Sequence, residues 1–251
     1  MLLFWANTGI NYQIMRISLF LLTMLCSLSQ LAIAQTQHQS TGWLFLMNNT
    51  KISKRWGTHL DVQLRSSDQF SLLRNFMFRP GLTYFINDKS DVTLGYLLNE
   101  TFSGQDMIGT RNNTLTEHRI WQQYIYKHKI STVNVSHRLR LEQRFMEQNA
   151  GQDLFAQRFR YFFRMILPLE KGKQDFDKGP FAALQNELFF NVQNKGKLNG
   201  SVFDQNRAYL AAGYRFSKKM DLEVGYLNQA VKGLRQNSMN HAVQLALYTR
   251  F

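Results

Sequence analysis

The sequence predicts an all-β chain closed into an antiparallel, up-and-down transmembrane β-barrel of about 10 or 12 strands. Three observations carry this. Apolar residues recur at every second position over most of the chain, the composition is aromatic yet polar on average, and a secretory leader precedes the alternation. The stretch 72–102, LLRNFMFRPGLTYFINDKSDVTLGYLLNETF, shows the repeating unit. Phe76, Phe78, Pro80, Leu82 and Tyr84 alternate with Asn75, Arg79, Gly81 and Thr83. Beyond the turn formers Asn87-Asp88-Lys89-Ser90, Val92, Leu94, Tyr96, Leu98 and Phe102 stand against Thr93, Gly95, Asn99 and Thr101. A period of two puts the two sets on opposite faces of an extended strand, and the turn cluster joins the arms as a hairpin. Each arm exceeds the roughly 9–11 residues with which a tilted strand crosses a bilayer.

Hydrophobic residues make up 44% of the chain, yet the mean hydropathy is −0.32. That excludes a helical membrane protein, whose spans need ~20 nearly uninterrupted apolar residues. It fits a barrel, where half of each strand faces a polar interior. Twenty Phe, ten Tyr and four Trp favour strands and furnish interfacial girdles. The formal charge of +13 raises nucleic acid or anionic lipid as partners. The Lys and Arg are spread over polar faces and turns rather than gathered in one run, so no nucleic-acid partner is predicted.

Taken in order, Ile17 to Ala34 is the only long apolar run, preceded by Arg16 and ended by Ala32-Ile33-Ala34 as an A-x-A cleavage site. It predicts a signal peptide over 1–34, with Met15 as the natural start, and a single barrel domain over 35–251. The one cysteine, Cys26, lies inside the leader, so the mature chain has no thiol, disulfide or Cys metal site. Leu25 before it, where a small residue is needed, argues against a lipoprotein. Residues 35–40 are a polar lead. Residues 41–49 are strand-like, with Trp43, Phe45 and Met47 on one face. Residues 56–65 set Thr58, Leu60, Val62 and Leu64 against His59, Asp61, Gln63 and Arg65. In the hairpin that follows, Pro80 lacks a ladder donor and Gly81 is next to it, which predicts a bulge or bend.

A long loop over 103–114 leads to a strand over 118–126, where Ile120, Tyr124 and Tyr126 share a face and Trp121 and Ile125 break the pattern. The cleanest alternation is 133–145: Val133, Val135, Leu139, Leu141 and Phe145 oppose Asn134, Ser136, Arg138, Arg140, Glu142 and Arg144. After a loop at 147–153, Phe159, Tyr161, Phe163 and Met165 oppose Arg158, Arg160 and Arg164. A charged connection at 170–180 precedes the strand 182–192, with Leu184, Leu188, Phe190 and Val192 against Gln185, Glu187 and Asn191. A loop over 194–201 follows, then 208–216, with Leu210, Ala212, Tyr214 and Phe216 against Arg207, Tyr209 and Arg215. Ser217-Lys218-Lys219 turns the chain into Leu222, Val224 and Tyr226, opposite Glu223 and Gly225. After the loop 232–239, Val243, Leu245, Leu247, Thr249 and Phe251 share the last face. An aromatic end preceded by alternate apolar residues resembles the terminal assembly signal of outer-membrane barrels. These are eleven candidate strands, whereas single-chain bacterial barrels have even numbers. Either 41–49 stands outside the wall or one strand is hidden, hence ten or twelve.

The blocks Glu117-His118-Arg119-Ile120-Trp121-Gln122-Gln123, Arg138 through Phe145 (RLRLEQRF), Asn186-Glu187 and Asp204-Gln205-Asn206-Arg207 resemble those of domain-of-unknown-function family 2490, common in Bacteroidetes, over about 42–251. The resemblance implies an outer-membrane barrel and no established activity, so it brings no catalytic residues.

The sharpest constellation is the polar face of two consecutive strands: Arg138, Arg140, Glu142 and Arg144, then Arg158, Arg160 and Arg164. Antiparallel neighbours bring these within cross-strand reach. One reading is an interior ladder in which arginine forks pair with Glu142, Glu187, Glu117 and Glu223. The other is an anion-biased lumen, since arginines outnumber carboxylates even before Arg207 and Arg215 are counted. The rival class is a lipid-modifying barrel enzyme, a phospholipase or lipid A deacylase, which needs Ser and His within hydrogen-bond reach. Ser136 and His137 are adjacent in a strand and so point to opposite faces. His118 is expected on the lipid face near Glu100 and Phe102, His59 inward, and His38, His128 and His241 near strand ends. No catalytic, cofactor-binding or metal residue is assigned. The expectation is a bacterial outer-membrane barrel of unknown substrate, structural or a narrow anion-leaning pore. Its partners would be outer-membrane lipid, lipopolysaccharide and, through Phe251, the barrel assembly machinery.

Overall fold

The computed structural model describes residues 36–102, 114–148, 153–170 and 176–251. The predicted leader and most of the predicted loop at 103–114 lie outside the described residues, as do parts of the predicted connections at 147–153 and 170–180. Eleven strands follow one another: β1 (Thr36–Lys51), β2 (Trp56–Ser66), β3 (Leu73–Phe85), β4 (Ser90–Phe102), β5 (Thr114–Ile130), β6 (Val133–Met146), β7 (Leu154–Pro168), β8 (Gly179–Gln193), β9 (Phe203–Ser217), β10 (Met220–Val231) and β11 (Asn237–Arg250). Each pairs antiparallel with the next, and β1 meets β11 to close a barrel. The stretch 41–49 is therefore a wall strand, and no further strand is needed.

An odd count has a geometric consequence. Ten successive reversals return the chain to its first direction, so β11 must run parallel to β1. The seam bears this out. The Phe251 amide donates to the Asn49 carbonyl at 2.9 Å and the Lys51 amide donates to the Phe251 carbonyl at 2.6 Å. Thr41 Oγ1 donates to Asn240 Oδ1 at 2.9 Å and Asn48 Nδ2 to Thr249 Oγ1 at 2.8 Å. Partner numbers rise together along both strands, as in a parallel pair. Ten or twelve strands were expected from the even-number rule. Eleven close because β1 and β11 supply to each other the ladder partners that would otherwise be missing at two edges.

The alternation sorts faces as the pattern implied. Leu94, Leu210, Val224 and Val243 are more than half exposed on the outer wall, whereas Asp61, Thr93, Arg140 and Glu223 are buried inside. In β1 the aromatic face is the inner one: Trp43 is buried and Leu44 and Leu46 are exposed outside. The interior also holds two apolar cores, one of Trp43, Phe181, Ala183, Tyr209, Ala211, Leu227 and Ala242, the other of Met77, Leu97 and Trp121.

No bulge forms at Pro80-Gly81. The β2–β3 register runs unbroken from Trp56↔Tyr84 to Arg65↔Asn75, shifting only at Ser66, and the β3–β4 register is the same on both sides of Pro80. The glycine serves another purpose. Gly81 lies opposite Gly95, which lies opposite Trp121, and the fully buried indole covers both. A Cβ on Gly95 would stand 2.2 Å from Trp121 Cζ2 and one on Gly81 2.9 Å from Cη2. Glycine inside a strand here marks a close approach by an aromatic ring.

Candidate functional site: an arginine-lined lumen

The register of β6 with β7 sets the polar ladder. Glu142 lies opposite Arg158, and Arg140 opposite Arg160. Two like charges directly opposed are unfavourable, and the side chains separate. Arg160 turns to Glu142 at 2.5 Å and Glu187 at 2.7 Å. Arg140 instead stacks 4.5 Å over the Trp121 ring and donates to Gln123 Oε1 at 2.6 Å. Its nearest approach to Glu142 is 4.0 Å.

Glu142, fully buried, is the hub. It accepts from Arg158 at 2.6 Å as well as from Arg160, with Arg119 at 3.6 Å. Arg158 also reaches Asp204 at 3.0 Å. Glu187 bridges Arg160 and Arg138, the latter at 2.6 Å. Glu117 bridges Arg119 at 2.7 Å and Arg144 at 2.6 Å. Arg164 donates to Glu223 at 2.6 Å. Arg215 donates to Asp221 at 2.7 Å, and Arg250 meets the same carboxylate. On the facing wall, Arg79 pairs with Asp61.

Two buried or half-buried guanidiniums have no carboxylate partner among the described residues. Arg65 donates only to Gln63 Oε1, at 2.5 Å, and Arg207 only to Gln205 Oε1, at 3.3 Å. Both lie over the Trp43 ring, at 3.8 and 5.3 Å. They flank the junction of two cavities. The larger, about 970 Å³, has its mouth at the end marked by Lys51, Asp88, Lys129 and Phe251. The smaller, about 190 Å³, is lined among the described residues by seven arginines in a set of eleven and by no acidic side chain. Arg65, Arg79, Arg160 and Arg207 line both and form the waist between them.

The outer wall holds no nucleophile–base pair among these residues. Ser136 and His137 both border the larger cavity, but as strand neighbours they point apart, and His137 Nδ1 lies 2.9 Å from Tyr161 Oη with its ring stacked on His128. His118 is exposed and bonded to Tyr96, and buried His59 shares a hydrogen bond with Asn49 at 2.8 Å. Among the described residues no group of three or more His, Cys, Asp or Glu could hold a metal ion. Phe251 is exposed, its backbone in the seam and Lys219 Nζ 5.6 Å over its ring.

Arg138, Arg140, Glu142, Arg144, Arg158, Arg160 and Arg164 thus share the lumen with Glu187, Arg207 and Arg215. Sequence reasoning missed Arg65, Arg79, Arg119, Asp61, Asp204 and Trp43 as members. Period two already put Asp61, Arg65 and Arg79 on inner faces. What brings β2 and β3 across from β7 and β9 is closure, which no local pattern encodes.

Comparison with known proteins agrees with this architecture. The NanC porin, solved in a rhombohedral crystal form, superposes with a TM-score of 0.52 at 11% identity, covering 84% of this chain and 98% of that one. The porin-like fold is shared, and at that identity nothing more. An uncharacterised protein of Methylorubrum extorquens (strain AM1) is 30% identical over 237 residues, covering 92% of this chain and 97% of the relative. The family model described as protein of unknown function (DUF2490) matches residues 40–240, most of the barrel from β1 to β11, and the chain belongs to that family.

Proposed function

We propose that the protein is an outer-membrane barrel whose arginine-rich lumen is a narrow, hydrated path preferring small anions. Strands of 11–17 residues, an apolar outer wall and the porin-like fold support the membrane location. Lipid and lipopolysaccharide would contact that wall, and the assembly machinery would read β11 and Phe251. One observation carries the anion preference: among the described residues, the smaller cavity is lined by seven arginines and no acidic side chain. A guanidinium left unpaired in a dry interior costs several kcal/mol, so water and counter-anions are its natural occupants. Planar-bilayer recordings in a KCl gradient test this. The expected reversal potential is that of a chloride-preferring path. A potassium-preferring potential would overturn the proposal, and a complete lack of conductance would favour a barrel shut by its own ion pairs.

The lipid-facing assignment has its own test. Leu139 is 42% exposed on the outer wall and Arg140, one residue on, is 1% exposed inside. Leu139→Arg should destabilise the barrel by about 2–4 kcal/mol near the bilayer midplane. Arg140→Leu should leave folding yield in lipid vesicles near that of the parent. Equal yields for the two variants would contradict the face assignment.

A further inference from the structure

The lumen repeats one motif: a carboxylate bridging two arginines. Glu142 bridges Arg158 and Arg160, Glu187 bridges Arg138 and Arg160, Glu117 bridges Arg119 and Arg144, and Asp221 bridges Arg215 and Arg250. Arg65 and Arg207, both over the Trp43 ring and both lining the two cavities, have no such bridge among the described residues. We propose that they form a carboxylate-binding site at the waist, in which the acid group of a small organic acid takes the bridging place that no side chain among the described residues fills.

Arg65 is only 8% exposed, and its Nε has no hydrogen-bond partner among the described residues. A buried donor left unmade is costly, and a guanidinium fork fits a carboxylate with two parallel hydrogen bonds. Trp43 lies under both guanidiniums, and Phe189 lies 4.7 Å from Arg207. These rings hold the cations in place without neutralising them. The smaller cavity also presents Asn75, Asn99 and Gln205. Its volume of about 190 Å³ is roughly six waters at ~30 Å³ each, enough for an acid group with part of its shell.

The other side of the waist selects an organic acid over an inorganic anion. There the larger cavity presents Trp43, Phe45, Leu227 and Tyr248, apolar surface that the body of such an acid can cover. The site deepens the anion-preferring reading of the lumen and rests on it only for solute access.

Isothermal titration calorimetry of the detergent-solubilised barrel with benzoate, its neutral analogue benzamide and inorganic phosphate tests the site. Benzoate should bind saturably at one site per barrel, at least tenfold more tightly than either comparison solute. Arg65→Gln and Arg207→Gln should each weaken benzoate at least tenfold. Lys51→Gln, which removes an exposed cation at the mouth of the larger cavity, should change it less than twofold. Should a glutamine variant fail to fold, Arg65→Lys and Arg207→Lys keep the charge, lose the fork and should show a comparable loss. Equal binding of benzamide, tighter binding of phosphate, or variants that bind like the parent would each overturn the site. No conduction is needed for this measurement. Chloride-preferring conductance without benzoate binding would sink the site and leave the path, and binding without conductance would do the reverse.

Discussion

Replacing Glu142 by glutamine should cost the barrel about 3–5 kcal/mol, the loss seen when one member of a buried charge network is removed. The carboxylate has no exposed surface. It accepts from Arg158 and Arg160, with Arg119 and Arg140 at 3.6 and 4.0 Å. Glutamine matches its shape but carries no charge and turns an NH₂ donor toward guanidiniums that can only donate. Arg158 and Arg160 keep Asp204 and Glu187, so the barrel should still form, and the loss appears as a lower urea midpoint for the heat-modifiable band in vesicles. Asp88→Asn, in the exposed β3–β4 turn, should stay within about 0.5 kcal/mol of the parent. If Glu142→Gln unfolds at the parent's midpoint, the network does not hold the wall together.

That network was half legible before the structure. Arg138, Arg140, Glu142 and Arg144 follow from period two, because side-chain direction is a local property of a strand. Which carboxylate each arginine finds is not local. Glu187 reaches Arg138 from two strands away, and Arg158 reaches Asp204 on β9; both depend on barrel diameter, and so on strand count. Not every aromatic faces outward, and period two had already set Trp121 and Tyr209 on polar faces. Trp43, Trp121, Phe181 and Tyr209 point inward, and the last three fill space beside positions without a side chain. Their local signal was the strand glycines. A Cβ on Gly213 would meet Phe181 at 2.3 Å, and one on Gly225 would meet Tyr209 at 2.7 Å. An interior glycine in a strand is a request for a neighbour's ring, and Gly81 and Gly95 made that request for Trp121 rather than for a bulge.

The parallel seam carries the second large expectation, an all-or-none one. Because β1 and β11 run the same way, the start of β1 and the end of β11 lie at opposite ends of the barrel. The two-residue connections β5–β6 and β9–β10 lie at the end where β11 finishes, and the longer β8–β9 connection lies where β1 begins. Outer-membrane barrels keep short turns on the periplasmic side and longer loops outside. Gln37 should therefore face the cell exterior together with Lys195, and Lys218 the periplasm; all three are exposed. Cysteine at each position can be challenged in intact cells with a membrane-impermeant maleimide, since the chain's one native cysteine, Cys26, falls in the predicted leader. Gln37→Cys and Lys195→Cys should label fully, and Lys218→Cys only after the outer membrane is permeabilised. An even-stranded wall would place Gln37 with Lys218 instead. Labelling of Gln37→Cys that follows Lys218→Cys would break the seam, and with it the eleven-strand closure that brings Arg65 to the waist beside Arg207.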